Sequence, residues 1–145
     1  MKHLCIAGIF LTVLAAAVSE PILPSEKCRQ EGVVRYEVCI GYCEYTLYNF
    51  VQVSFKIPRI YIENFKNVLL EYGAVDEKDS CKLEKHIKGC AEKMTITKEM
   101  KRREKCEKVN EYYNCVVDGN LFTFDKYAMA IDAYEKSGRF AKPSL

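Results

Sequence analysis

At 145 residues the chain is long enough for one compact domain with its own core, and its 22 basic against 20 acidic side chains leave it close to neutral. Eight cysteines raise the question of zinc, but the C-x2-C pairs that a zinc site favours are absent, so the cysteines read as structural and neither metal nor cofactor is expected. No run alternates apolar and polar residues long enough for a sheet, and there is no internal repeat, low-complexity tract or N-x-S/T glycosylation acceptor.

Taken in order, the chain opens with Lys2 and an apolar run from Leu4 to Val18 that ends in Ala15-Ala16-Ala17-Val18-Ser19. That pattern predicts a secretory signal peptide over residues 1–19, cleaved after Ser19 or Ala17, with residues 20–145 forming a single domain. The run is too short for a comfortable membrane span and no stop-transfer pattern follows it. Cys5 leaves with the signal, and seven cysteines remain, which in an oxidising compartment means three disulfides and one leftover thiol.

Pro21 and Pro24 mark an exposed lead-in, and Ser25 is the expected N-cap of a short helix carrying Cys28, interrupted by Gly32. A second helix is predicted from about Arg35 to Val53. Cys39 and Cys43 share one face of it, so they should reach different partners rather than each other. With the aromatic run Tyr45 to Phe50 behind them, they make this stretch a hub. Pro58 begins a third helix with Ile62, Phe65, Leu69 and Tyr72 on one stripe, ended by Gly73. Asp79 or Ser80 caps a fourth, with Leu83, Ile87 and Cys90 facing inward. Thr95 or Thr97 starts a fifth that reaches Val116, with Cys106, Val109, Tyr113 and Val116 inward. After the turn Asp118-Gly119-Asn120, a sixth helix from Phe124 to Lys136 carries Phe124, Tyr127, Ala128, Ile131 and Tyr134. The expected fold is a small all-α domain.

Charge becomes informative once divided. Residues 20–81 hold seven basic against ten acidic side chains, residues 82–108 ten against five, and residues 109–145 four against five. One basic segment therefore stands out: Lys82, Lys85, Lys88, Lys93, Lys98, Lys101, Arg102, Arg103, Lys105 and Lys108. Lys98, Lys101, Arg102, Lys105 and Lys108 recur at helical steps, and Arg102-Arg103-Glu104-Lys105 is a heparin-type cluster. Lys136, Arg139 and Lys142 could assist. The plainer reading is a solvated helix face balanced by Glu99, Glu104 and Glu107. Continuing the same helix puts Val109, Tyr112 and Val116 on the basic side, so either the basic turn overhangs the core or the helix bends near Cys106.

Little else carries chemistry. His86 is the only histidine after residue 19; it lies between Lys85 and Lys88 with no nucleophile or paired acid at catalytic spacing, and reads as a surface residue. No phospholipase C-C-x-x-H-D-x-C pattern and no Gly-rich phosphate loop is present, so the chain is not expected to be an enzyme. The many aromatics are either core or the lining of an apolar pocket between helices.

Cys39-x3-Cys43 and Cys106-x8-Cys115 in a small helical chain resemble the insect odorant-binding protein superfamily. Glu26-Lys27-Cys28, Tyr45-x2-Tyr48-x-Phe50, Val68-Leu69-Leu70-x-Tyr72, Val75-Asp76 and Glu84-Lys85-His86-Ile87-x2-Cys90 are similar, more narrowly, to the small salivary proteins of sand flies, a branch of it. The resemblance implies an odorant-binding-protein-like fold tied by Cys28–Cys43, Cys39–Cys106 and Cys90–Cys115, with Cys81 the odd thiol, idle or linking two copies into a dimer. It implies secretion into saliva. It also implies binding of host anionic polysaccharide or polyphosphate (heparin, dextran sulfate) through the basic segment, without specific recognition of nucleic acid, and inhibition of contact-pathway coagulation. The alternative is a carrier that sequesters a small hydrophobic or amine mediator among the aromatics of the second and third helices. The short Cys28 to Cys39 interval implies a reduced first helix, and with it a small or absent pocket.

Overall fold

The computed structural model describes residues 22–141, and the expected signal peptide and Lys142 lie outside them. Those residues hold six α-helices and no strand: α1 (Pro24–Arg29), α2 (Ile40–Leu47), α3 (Arg59–Glu71), α4 (Ser80–Lys93), α5 (Arg102–Val117) and α6 (Phe124–Lys136). Short 3-10 turns lead into α2 (Glu37–Cys39) and α4 (Glu77–Asp79), and a third (Arg139–Ala141) follows α6. None of these helices is long and apolar enough to cross a membrane.

The three disulfides pair Cys28 with Cys43, Cys39 with Cys106 and Cys90 with Cys115, at Cα–Cα distances of 5.8, 5.0 and 5.7 Å. Cys81 is left as an exposed free thiol. The two hub cysteines do reach different elements: Cys43 ties α2 to α1, and Cys39 ties the turn before α2 to the first part of α5.

Several helices start or stop elsewhere than the sequence suggests. The hub helix is eight residues long, not about nineteen. It ends because Asn49 turns left-handed (φ 60°), which lets the Phe50 and Val51 N–H groups donate back to Tyr45 O at 2.9 and 3.2 Å. Phe50 and Val51 are thereby turned into the core instead of continuing around a helix. In α1 the cap position falls on Leu23, because Pro24 takes the first helical place where its fixed φ fits. Ser25 is therefore inside the helix, and its hydroxyl is free to bond Glu135.

The fifth helix begins at Arg102, not at Thr95 or Thr97. Residues 94–101 run irregularly, with Met94 and Ile96 half-buried against the core. The helix starts where the Lys101 N–H donates to the Glu104 carboxylate at 2.6 Å, a local cap that outcompetes further winding. Its inward set is Cys106, Val109, Tyr112 and Val116, with Tyr113 half-buried beside them. At α6, Thr123 caps the helix by accepting from the Lys126 N–H, and Phe124 points outward, 59% exposed, instead of joining the core.

Aromatic rings fill the centre. Phe50 stacks on Phe65 at 4.1 Å between centroids, and Tyr45 meets Phe50, Phe65, Tyr112 and Tyr113 edge-on at 5.4–6.3 Å. Of the third-helix aromatics, Phe65 is wholly buried in this packing, while Tyr61 is half-buried. α5 passes close to α2 because Gly41 has no Cβ: one placed there would lie 2.7 Å from Asn110 Oδ1. α4 and α5 pair antiparallel. Cys90 is bonded to Cys115, while His86, one turn earlier, meets Val116 and Gly119, later in α5 and just past it.

Candidate functional site

The basic segment, continuous in sequence, is divided by the fold. In α4 the inward positions are Leu83, Ile87 and Cys90. Helical spacing then places Lys82, Lys85, Gly89 and Lys93 together on one flank, where with His86 and Cys90 they line a shallow groove of about 350 Å³. Gly89 leaves the row open between its lysines. Lys82 pairs with Asp79 at 2.7 Å, and this contact holds its ammonium above, and the Asp79 carboxyl below, their ordinary pKa values. Lys85 and Lys93 are exposed and have no acid within ion-pair distance among the described residues. Lys88 faces the other flank, 3.8 Å from Glu92, beside a groove shared with Phe55–Ile57.

The expected stripe from Lys98 to Lys108 does not form. Lys98 precedes the helix and Lys101 caps it, so neither is in phase with the residues that follow. Arg102 lies over the stacked Tyr42 and Phe55 rings, 5.5 and 6.0 Å from their centroids. Arg103 pairs with Glu107 at 3.3 Å and Lys108 with Glu111 at 2.7 Å, while Lys105 is half-buried. Arg102-Arg103-Glu104-Lys105 is thus spread around the helix rather than gathered into one patch. Of the two alternatives left by the sequence, these contacts favour the overhang. Arg102 and Lys105 stand at three- and four-residue steps ahead of Val109, Tyr112 and Val116, Arg102 over the Tyr42 and Phe55 rings and Lys105 half-buried, while Lys98 and Lys101 precede the helix. Farther off, Lys136 pairs with Asp132 at 2.6 Å, and Arg139 pairs with Glu71.

Two exposed groups of cations result. Lys82, Lys85 and Lys93 lie beside the C-terminal half of α5, since neighbouring His86 touches Val116. Lys98 and Lys101 lie in the irregular segment just ahead of α5, Lys101 at its N-cap. From Arg102 to Cys115 the helix rises roughly 20 Å.

His86 is more than a surface residue. Its Nε2 lies 3.1 Å from Val116 O, and a Cβ on Gly119 would fall 2.1 Å from that nitrogen. The ring clasps the end of α5 and fixes the lysine flank against it. The signal for this was present in the sequence: His86 stands one turn before Cys90, at the edge of the inward face.

The fold is an all-helical, disulfide-tied domain of the secreted kind, with exposed lysines and no group of three metal-ligating side chains among the described residues. No protein-family model matches the chain. It is 32% identical over 142 residues to Salivary protein 15b of Phlebotomus duboscqi, covering 94% of this chain and 98% of that one. Salivary protein 15a of the same species is 31% identical over the same length and shares. Ayaconin of Lutzomyia ayacuchensis is 32% identical over 114 residues, 79% of this chain and 78% of Ayaconin. The chain belongs to the sand-fly small salivary protein family and is secreted.

Proposed function

We propose that this protein binds anionic polymers such as polyphosphate or heparin through its exposed lysines, and inhibits contact-pathway activation of coagulation by occupying the polymer. Occupancy, not catalysis, is the mechanism. The observation that carries the reading is the flank of α4, where Lys85 and Lys93 stand exposed and unpaired among the described residues beside Lys82 and the open step at Gly89. A polymer needs spaced cations, not an enclosed site. An extended chain lying along α5 could reach this flank and Lys98 and Lys101 together. Each phosphate or sulfate that a lysine neutralises releases a condensed counterion, so affinity adds up over contacts and falls as salt rises.

Chromatography on heparin resin tests this. In about 50 mM salt, where screening is weak, the wild-type protein should be retained, and Lys82→Glu/Lys85→Glu/Lys93→Glu should elute earlier. Passage of the wild type straight through the column would remove the proposal.

A further inference from the structure

On the side of α5 away from α4, a cleft of about 590 Å³ opens between α1, α2, α5 and α6. Its charge is opposite in sign to the lysine flank: Glu44, Asp132 and Glu135 line it, against Arg29 alone. Two of the acids have cations of their own. Glu44 pairs with Arg29, and Asp132 with Lys136 at 2.6 Å. Glu135 does not. It is only 5% exposed, and all its partners are neutral: the Ser25 N–H and hydroxyl each donate at 2.7 Å and the Tyr48 hydroxyl at 2.5 Å. These three donors fill three of the roughly four acceptor positions of a carboxylate. A buried carboxylate ordinarily has a cation beside it. Among the described residues none comes within ion-pair distance of Glu135.

The wall next to these acids is aromatic. Tyr45, Tyr113 and Tyr127 meet edge-on at 5.5–5.8 Å between centroids, and the Tyr45 and Tyr127 hydroxyls bond each other at 2.8 Å. Tyr45 and Tyr127 are nearly buried behind this hydrogen bond, and half-buried Tyr113 offers the larger part of the aromatic cleft surface. Tyrosine faces attract cations, the volume suits a small molecule, and Ile40 and Ile131 add apolar lining. We infer that this cleft is a binding site for a small organic cation, a protonated amine on a flat aromatic body, with the ammonium near Glu135 and Glu44 and the body against Tyr113 and Tyr127. The site is separate from the lysine flank: Cys115 is bonded to α4, while Asn110, Tyr113 and Asn114 of the same helix line the cleft.

Calorimetric titration with tyramine, and with 4-ethylphenol as its neutral counterpart, tests the inference. Tyramine should bind at one site per chain, about tenfold or more tighter than 4-ethylphenol. Glu135→Gln, Glu44→Gln and Tyr113→Leu should each weaken tyramine; the last two carry the test if Glu135→Gln does not fold. Lys82→Glu/Lys85→Glu/Lys93→Glu should leave it unchanged, so loss of polymer binding and loss of amine binding are told apart. Equal affinity for the two probes, no saturable tyramine binding up to about 10 mM, or unchanged binding in the folded variants would each overturn the assignment.

Discussion

The α4 lysine flank and the Glu44–Glu135 cleft lie on opposite sides of α5 and handle charge in opposite ways. The flank gathers three lysines of one sign and leaves them in water, where each is worth little and salt screens all of them. The cleft holds three acids and one arginine of mixed sign and partly desolvates Glu44 and Glu135, so that single groups matter. Burial raises the Glu44 carboxyl above its ordinary pKa despite the opposing Arg29 guanidinium, with Glu135 adding to the rise. Burial and the hydrogen bond to Glu135 push the Tyr48 hydroxyl far above its usual range. On the proposed readings, a surface that binds by summation and a pocket that binds by selection share one helix. α5 is the partition between them.

The largest effect should come from loosening that partition. Cys39–Cys106 closes 67 residues, and Cys39→Ser/Cys106→Ser should lower the unfolding free energy by about 4 kcal/mol in denaturant titration. The shorter Cys28–Cys43 loop spans 15 residues and should cost about 3 kcal/mol by the same argument. A reversed order would mean that α5 is held mainly by its aromatic packing.

Next in size, Gly119→Ala should displace the His86 ring, break its bond to Val116 O and destabilise the fold by about 1–2 kcal/mol. Because this clasp is on the α4 side, the loss should leave the Tyr113 and Asn114 side-chain NMR signals nearly unmoved. Shifts in those signals would show the two faces of α5 to be coupled.

The smallest effect separates the cleft by pH. A carboxylate raised in the folded state contributes most at low pH, and that contribution is lost as pH rises through its folded value. Between about pH 4 and pH 7 the Tm of the wild type should therefore fall relative to Glu44→Gln. A relative rise over that range would mean that the Arg29 pair outweighs burial.

Much of the scaffold was legible in the chain. Cysteine spacing sent Cys39 and Cys43 to different elements, the family resemblance named the partners, and apolar periodicity placed α3, α4 and α6. Helix ends were less legible because single contacts set them: the left-handed Asn49 stops α2, and the Glu104 carboxylate starts α5. Lysine is a good helix former, so the stripe from Lys98 to Lys108 looked helical throughout, but only Arg102, Lys105 and Lys108 are in α5 while Lys98 and Lys101 precede it. The cleft was hidden for another reason. Glu135 stands next to Tyr134 in α6 and reads as a surface acid; its burial depends on Ser25, 110 residues away. Long-range polar contacts of that kind leave no periodic trace.

The most direct test of the account is polyphosphate binding by the wild type and by Lys82→Glu/Lys85→Glu/Lys93→Glu across salt concentrations from about 50 to 200 mM. Wild-type log K should fall linearly with log salt, and the variant should bind more weakly with a slope shallower by about 2–3. Salt-independent binding, or an unchanged slope in the variant, would contradict it.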